Sequence, residues 1–549
     1  MNKITQVFYI SAFISLAFIV WGVVKPDNMS AITTTVQGFI SSELGWFYLL
    51  SATFYIGVAI YLVLSPYGKI KLGKPDEEPE YNYLTWFAFL FTAGMGIGLV
   101  FWGSAEPLSH YFIPANAEPG SEQAAAEAMR YSMFHWGIHP WAIYSVVALT
   151  LAYFQYRKDE PALFSSTFRP LIGHRVKGPL GKTIDVFVVF ATVFGTATSL
   201  GFGAAQITAG LRYVFPIPDA FSETVFQLIV IAIVTVLFSI STLTGINKGI
   251  RILSNLNVRL AIALMAFVLL LGPTSHIMGV FTQGLGSYVQ NFFGMSFSLD
   301  VYDPDTSWVQ DWTLFYWAWW ISWSPFVGAF IARVSRGRTI REFILGVIAL
   351  PAIFGAFWFS VFGGSTIFFE NQGAGIFEAM SGGDQPEIAL FSLLEQFPLT
   401  FIVSLISILL ISSFFVTSAD SATVVLGMQT TGGLLNPPNK VKLIWGLIVS
   451  GTAAVLLTSE AGLTALQTAS IIGAFPFAVI IILMLVSLFK ALQTEKVILA
   501  TDKERARHER MELKRERERL RRDQEILRRE RQLEEAKQRK GNKKDKDKS

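Results

Sequence analysis

The stretch FYWAWWISWSPFVGAF, residues 315–330, carries no charged side chain and sets Trp317, Trp319, Trp320 and Trp323 within seven residues. It lies in an apolar run, 312–333, long enough to cross a ~30 Å hydrocarbon core as a helix. Eleven similar runs flank it, at about 7–24, 45–65, 83–103, 136–155, 184–210, 224–243, 258–279, 343–363, 399–417, 442–458 and 468–490. The 549 residues are 52% hydrophobic with a mean hydropathy of +0.46, more apolar surface than a soluble fold of this size could bury. Lipid offers backbone polar groups no partner, so the spans are read as α-helices of a twelve-helix integral membrane protein. The first run is too long for a signal-peptide core and has no small-residue cleavage site behind it, so it is read as a retained helix. The chain has no cysteine, which removes disulfides, thiolate metal sites and cysteine nucleophiles.

Lysine and arginine predict the orientation. Lys69, Lys71 and Lys74 follow the second run, and Arg157, Lys158, Arg169, Arg175, Lys177 and Lys182 follow the fourth. Lys248, Arg251 and Arg259 follow the sixth, Arg333, Arg336, Arg338 and Arg341 the eighth, and Lys440 and Lys442 the tenth. Residues 261–332 and 342–439 contain no lysine or arginine. The alternation predicts cytoplasmic even-numbered connections with both termini inside. From Thr494 onward the chain carries 21 Lys/Arg and 14 Asp/Glu, a net of 21 − 14 = +7, against +3 for the whole. This segment reads as a long helix laced by i,i+4 Glu/Arg pairs. Leu513, Leu520 and Leu527 form one thin heptad stripe along it, and disorder is expected over 541–549. It is either a solvated charged helix or a regulatory arm that touches anionic lipid.

In the third run, FTAGMGIGLVFWG (91–103) places Gly94, Gly96 and Gly98 mid-membrane, where each costs about 1 kcal/mol of helix propensity. They suit either a close helix-packing face or an unwound stretch whose backbone faces a substrate. In the eighth run, Tyr316, Trp320 and Trp323 share a helix face and Trp319 lies beside Trp323. Trp320 and Trp323 sit near mid-span, whereas an interfacial tryptophan belt would lie at a span end. The fourth run adds Trp136, Trp141 and Tyr144 around Pro140. Two aromatic-lined helices with no buried acid nearby suggest a box for a quaternary ammonium, each good ring face contributing ~2 kcal/mol once water is excluded. The missing carboxylate suits a zwitterion.

Thr192 and Thr196, and the adjacent Thr417 and Ser418, offer hydroxyls to a hard cation, although single membrane hydroxyls usually bond back to their own helix. Asp420 could couple protons or cap a helix end. His135 and His139 are four apart, but no third ligand is apparent near them. No paired membrane carboxylates, nucleophile elbow or metalloprotease motif is present, so no enzymatic activity is expected.

Together these stretches resemble the betaine/choline/carnitine transporter family over nearly all of residues 1–490. The specific ones are WAWWISWSPFVGAFIARVSRGRTIREF, GMGIG, TVFGTATSLGFGA and SADSATVVLG. The resemblance implies a LeuT-like fold: two extra N-terminal helices (1–66), then inverted five-helix repeats at 83–280 and 312–490. An amphipathic connection (281–311) joins them, and a charged cytoplasmic tail (491–549) follows. It implies a trimethylammonium cage of Trp136, Trp141, Tyr144 and Trp320 with Trp319 beside it. Trp323 and the backbone of Ala93, Gly94, Met95 and Gly96 would meet the substrate carboxylate. It implies one sodium site at Thr192, Thr196 and Phe326, and a second at Thr92, Met95, Phe414, Thr417 and Ser418. Gly98, where choline carriers of the family have aspartate, favours betaine with sodium. The implied protein is a bacterial cell-membrane symporter importing glycine betaine with sodium as an osmoprotectant, activated by hyperosmotic stress. It would have no cofactor beyond the coupling ions, no nucleic-acid partner, and a homotrimeric state with contacts at 284–293. The alternatives are a sodium-coupled carrier of ectoine, proline, dimethylsulfoniopropionate, choline or carnitine, and a membrane sensor that binds the quaternary amine without carrying it.

Overall fold

The structure is a computed structural model that describes residues 4–94, 96–218, 222–244, 247–302 and 306–546. Apart from one isolated bridge, the regular elements among these residues are helical. They begin with α1 (Gln6–Val24), α2 (Pro26–Leu64), α3 (Tyr83–Gly94), α4 (Ile97–Phe112), α5 (Glu122–His135) and α6 (Ile138–Ala152). The short α7 (Arg169–Ile172) precedes α8 (Pro179–Val214), α9 (Glu223–Thr244), α10 (Asn247–Leu271), α11 (Thr274–Phe297) and α12 (Phe315–Val334). Then come α13 (Ile340–Glu370), the short α14 (Ile376–Ala379) and α15 (Ala389–Leu394), α16 (Thr400–Thr430), α17 (Asn439–Leu457) and α18 (Gly462–Lys546).

Ten helices among the described residues are long and apolar enough to cross a membrane. The two remaining predicted runs take other forms. Run 83–103 is split between α3 and α4, and the mean hydropathy of α12 is lowered by its tryptophans, Tyr316, serines and Pro325. Several helices outrun their predicted spans. The second starts at Pro26 rather than 45, and the tenth runs to Thr430 rather than 417. Polar residues at these ends are carried inside a helix that hydropathy alone would cut short. The run at 258–279 is also divided: α10 ends at Leu271, and Gly272 and Pro273 turn the chain into α11.

The chain divides into two compact units, Met1–Leu488 and Phe489–Ser549. Taken by itself, the second is the charged part of α18, with Leu513, Leu520 and Leu527 all exposed. The helix continues to Lys546, so the disorder expected over 541–549 is not found in 541–546, and 547–549 lie outside the described residues. Extending a helix already formed costs far less than starting one.

At the end of the first unit where the basic loops gather, Ile70–Leu72 lies against Gly337–Ile340. Leu72 N–H donates to Arg338 O (2.7 Å), Gly337 N–H to Leu72 O (2.8 Å) and Ile340 N–H to Ile70 O (2.9 Å). The Arg338 guanidinium, only 2% exposed, sits 4.1 Å from the Tyr83 ring and 4.7 Å from the Trp86 ring, and its Nη2 donates to Tyr81 O (2.6 Å). Trp86 Nε1 donates to Ser335 Oγ (2.9 Å), so the start of α3 is fastened to the turn between α12 and α13. Glu342 closes a capping box with Thr339 and starts α13 beside this clasp. Arg338→Lys keeps the charge but loses the planar group that two rings sandwich. It should destabilise the protein by about 1–2 kcal/mol, seen as a lower thermal midpoint in detergent; an unchanged midpoint would show that the clasp holds nothing.

Candidate substrate site

The backbone break between α3 and α4 organises the site. Thr92, Ala93 and Gly94 form the last turn of α3, and α4 resumes at Ile97. Met95 and the side chain of Thr92 lie outside the described residues, so their expected roles are untouched by the geometry. Gly96, in the break, has φ −132° and ψ −148°, neither helical nor regular extended backbone. A Cβ at Gly96 would stand 3.6 Å from Trp323 Cη2 and 3.8 Å from Ser418 Oγ. A Cβ at Gly98 would come within 2.5 Å of Trp319 Cη2 and 3.0 Å of Trp136 Cη2. The break therefore touches α12, α16 and the corner between α5 and α6, and Gly98 is where indoles rest on bare backbone.

Trp136 occupies that corner, between His135 and Ile138. Pro140 falls in the first turn of α6, where its missing N–H leaves no helical bond unmade. Trp136 and Trp320 meet edge to face at 4.8 Å (79°), and Tyr144 stands at 6.0 Å (83°) from Trp320 and 5.5 Å (84°) from Trp141. Trp319 stacks on Trp320 at 4.8 Å (15°), and Trp323 lies 6.3 Å from Tyr144. All six are buried. Their polar tips divide into two groups. Trp136, Trp319 and Trp320 donate their indole N–H to Glu106 Oε2 (2.7 Å), Ser199 Oγ (3.2 Å) and His135 O (3.0 Å). Tyr144 Oη and Trp323 Nε1 are buried with no hydrogen-bond partner among the described residues. Such atoms are costly unless something else satisfies them, so each can donate to an acceptor group on a bound molecule.

The expectation of no acid near the box is wrong. Glu106, fully buried, stands against it. Its Oε2 accepts from Trp136 Nε1–H and from Tyr316 O–H (2.5 Å), while His135 Nδ1 (2.8 Å) and His110 Nε2 (3.3 Å) approach Oε1. His135 Nε2 reaches Thr313 Oγ1 (2.9 Å). The run ending at 103 hid this residue, because α4 continues to Phe112 and carries Glu106 and His110 inside the bundle. The available signal was an acid and a histidine at i,i+4 beside an uncharged run, where an ionisable group marks function by default. The missing third partner of His135 is likewise present: Glu106, His110 and His135, residue types that ligate metals, place their donor atoms within 4.8 Å of one another. His139 stands apart from them, stacked between Phe292 and Trp317.

The hydroxyls expected to bind cations are differently occupied. Thr192 Oγ1 donates to Val188 O (2.7 Å), while Thr196 Oγ1 is buried with no partner among the described residues. α8 presses on α12 next to Thr196, since a Cβ at Gly195 would meet Ser322 backbone at 2.7 Å, and Phe326 packs against Trp323 (5.6 Å). On α16, Thr417 Oγ1 bonds back to Ser413 O (3.0 Å) and accepts from Asn257 Nδ2 (3.2 Å), a buried α10 residue that sequence reading missed. Phe414 is buried one turn before Ser418, which faces the break. Asp420 caps no helix end: it lies within α16 and accepts from Thr242 Oγ1 (2.7 Å). Between the box and the acidic-loop end is a cavity of about 390 Å³ lined by Trp102, Gln310, Trp312 and Phe315. Trp102 is 6.1 Å from Tyr316, one ring layer above Trp320.

Gly98→Ala must displace two indoles and should destabilise the protein by roughly 1–3 kcal/mol. Gly96→Ala meets only ordinary van der Waals contacts at 3.6 and 3.8 Å, and should destabilise the protein less than Gly98→Ala does. Thermal unfolding of both variants, followed by tryptophan emission, checks the contrast; equal effects would refute it.

Residues 6–497 match the family described as BCCT, betaine/carnitine/choline family transporter. The chain is 53% identical over 498 residues to the glycine betaine transporter OpuD of Bacillus subtilis, covering 90% of this chain and 96% of the relative. It is 45% identical over 496 residues to a probable glycine betaine transporter of Desulfitobacterium hafniense (90% and 98% covered). It is 43% identical over 511 residues to an ectoine/hydroxyectoine transporter of Virgibacillus pantothenticus (92% and 100% covered). The carriers named by these matches are transporters rather than enzymes, as the sequence implies, and the apolar helices agree with a multi-pass membrane protein. The chain belongs to the betaine/carnitine/choline transporter family.

Proposed function

We propose that this protein is a sodium-coupled symporter that imports glycine betaine as an osmoprotectant. The observation that carries this reading is the buried aromatic box together with the unpartnered Tyr144 Oη and Trp323 N–H of its members. Rings and donors together suit a zwitterion: a trimethylammonium head for the rings, a carboxylate for the donors. The names of the B. subtilis and D. hafniense relatives support betaine. Ectoine is the second reading, supported by the V. pantothenticus relative. In this proposal the fold has twelve transmembrane helices in a LeuT-like arrangement of inverted repeats, with both termini cytoplasmic. The trimer contact falls at 284–293, where Val289 and Phe293 are exposed apolar groups of α11. Activation by hyperosmotic stress, through the charged segment of α18 and anionic lipid, is part of the same reading.

Sodium at Thr192, Thr196 and Phe326, and at Thr92, Met95, Phe414, Thr417 and Ser418, would supply the driving force. A zwitterion carries no net charge, and each co-transported sodium adds ~2.3 kcal/mol per 100 mV. Thr196 is the best supported of these ligands, because its buried hydroxyl has no protein partner among the described residues.

Trp320→Leu keeps apolar bulk and removes the ring quadrupole. Losing ~2 kcal/mol should weaken betaine binding about thirtyfold with membrane insertion intact; an unchanged affinity sinks the cage. Uptake of labelled betaine into proteoliposomes, with sodium, pH and osmolality varied separately, tests the coupling. The expected result is electrogenic uptake that needs sodium and ignores a proton gradient, with Thr196→Ala raising the sodium requirement. Full accumulation in potassium medium under a proton gradient would rule the coupling out.

A further inference from the structure

Glu106 is a carboxylate at 0% exposure with no lysine or arginine bonded to it among the described residues. A bare charge in such a place is very costly, so its hydrogen bonds must replace the water it has lost. Four groups from four parts of the fold do so: His110 of α4 and His135 of α5 at Oε1, and Trp136 of the corner and Tyr316 of α12 at Oε2. The indole N–H can only donate, and it points at Oε2 at 2.7 Å. An ionised carboxylate accepts both the Trp136 N–H and the Tyr316 O–H at Oε2. Charge-assisted bonds of this kind are roughly twice as strong as neutral ones. They also polarise the donor, and electron density pushed from the N–H edge into the indole strengthens the negative ring face that attracts a cation.

We propose that Glu106 is a positioning residue for the cation cage: it fixes the Trp136 indole in the corner and enriches its ring face. Glu106 acts through Trp136 and Tyr316 rather than by touching the substrate. Its charge also favours a cationic head over a neutral one in the adjoining box. The notion that an anion-free box selects the zwitterion is thereby replaced. The acid is present but engaged by four hydrogen-bond partners, and selection of the substrate carboxylate falls to Tyr144 and Trp323. This inference rests on the cage reading of the proposed function.

The test uses the full-length protein in proteoliposomes, with labelled glycine betaine at saturating sodium. Glu106→Gln should raise KM about tenfold and leave Vmax within about threefold of wild type, the pattern of lost binding rather than lost turnover. Tyr316→Phe, which removes one donor to Oε2, should raise KM about threefold. A double-mutant cycle separates positioning from general damage. With Trp136→Phe already present, no indole N–H remains to be held, and adding Glu106→Gln should raise KM by less than about threefold. A wild-type KM in Glu106→Gln overturns the proposal. So does a tenfold rise that persists in the Trp136→Phe background. If Glu106→Gln fails to insert, Tyr316→Phe decides, and an unchanged KM in that variant is equally fatal. Trp320→Leu tells the two failures apart. If it weakens betaine while Glu106→Gln does not, only this inference falls; if it leaves betaine affinity unchanged, the cage falls and takes this inference with it.

Discussion

Two indoles, Trp319 and Trp136, rest on the backbone of Gly98, where a single Cβ would stand 2.5 Å from one ring and 3.0 Å from the other. The rest of the site depends on that missing atom. It lets α12 and the α5–α6 corner close on α4, which sets Trp320 against Trp136 and brings Tyr144 and Trp323 into the same box. Glycine lowers helix propensity, and here it is tolerated in the first turn of α4, just after α3 has ended at Gly94.

The box is rigid because its members are tied to different elements. Trp320 is anchored to the corner through His135 O, Trp319 to α8 through Ser199, and Trp136 to α4 through Glu106. A ring-faced cage works only if its faces are held in place while water is excluded, since the attraction of a cation to a ring is weak in water. Tyr144 and Trp323, whose polar tips are buried without a partner among the described residues, are left to donate to a bound molecule.

The two ends of the first unit are built differently. Towards the acidic loops, a cavity of about 390 Å³ reaches within one ring layer of the box. Towards the basic loops, a buried arginine is sandwiched by two rings, and a short backbone ladder fastens α3 to the α12–α13 turn. α3 ends at Gly94 and α4 begins at Ile97, so α4 and α3 can be held by different partners.

Much of this was legible in the residues. Uncharged runs required membrane helices, because lipid leaves the backbone no other partner, and the spacing of Trp320 and Trp323 put both on one face near mid-span. The glycines of 91–103 allowed either a close packing face or an unwound stretch, and the structure has indoles packed on Gly98 as well as a break between α3 and α4; the family motifs pointed to the transporter family that the comparisons show. What could not be read was which helix end stays buried. Glu106, His110 and Asp420 lie past the point where hydropathy falls, yet α4 and α16 carry them inside the bundle. A hydropathy window sees one helix at a time, whereas the environment of a carboxylate is set by its neighbours. Sequence determined that aromatic rings line two membrane helices; tertiary structure alone decided that a carboxyl group stands behind one of them, because its four hydrogen-bond partners come from positions as far apart as 110 and 316.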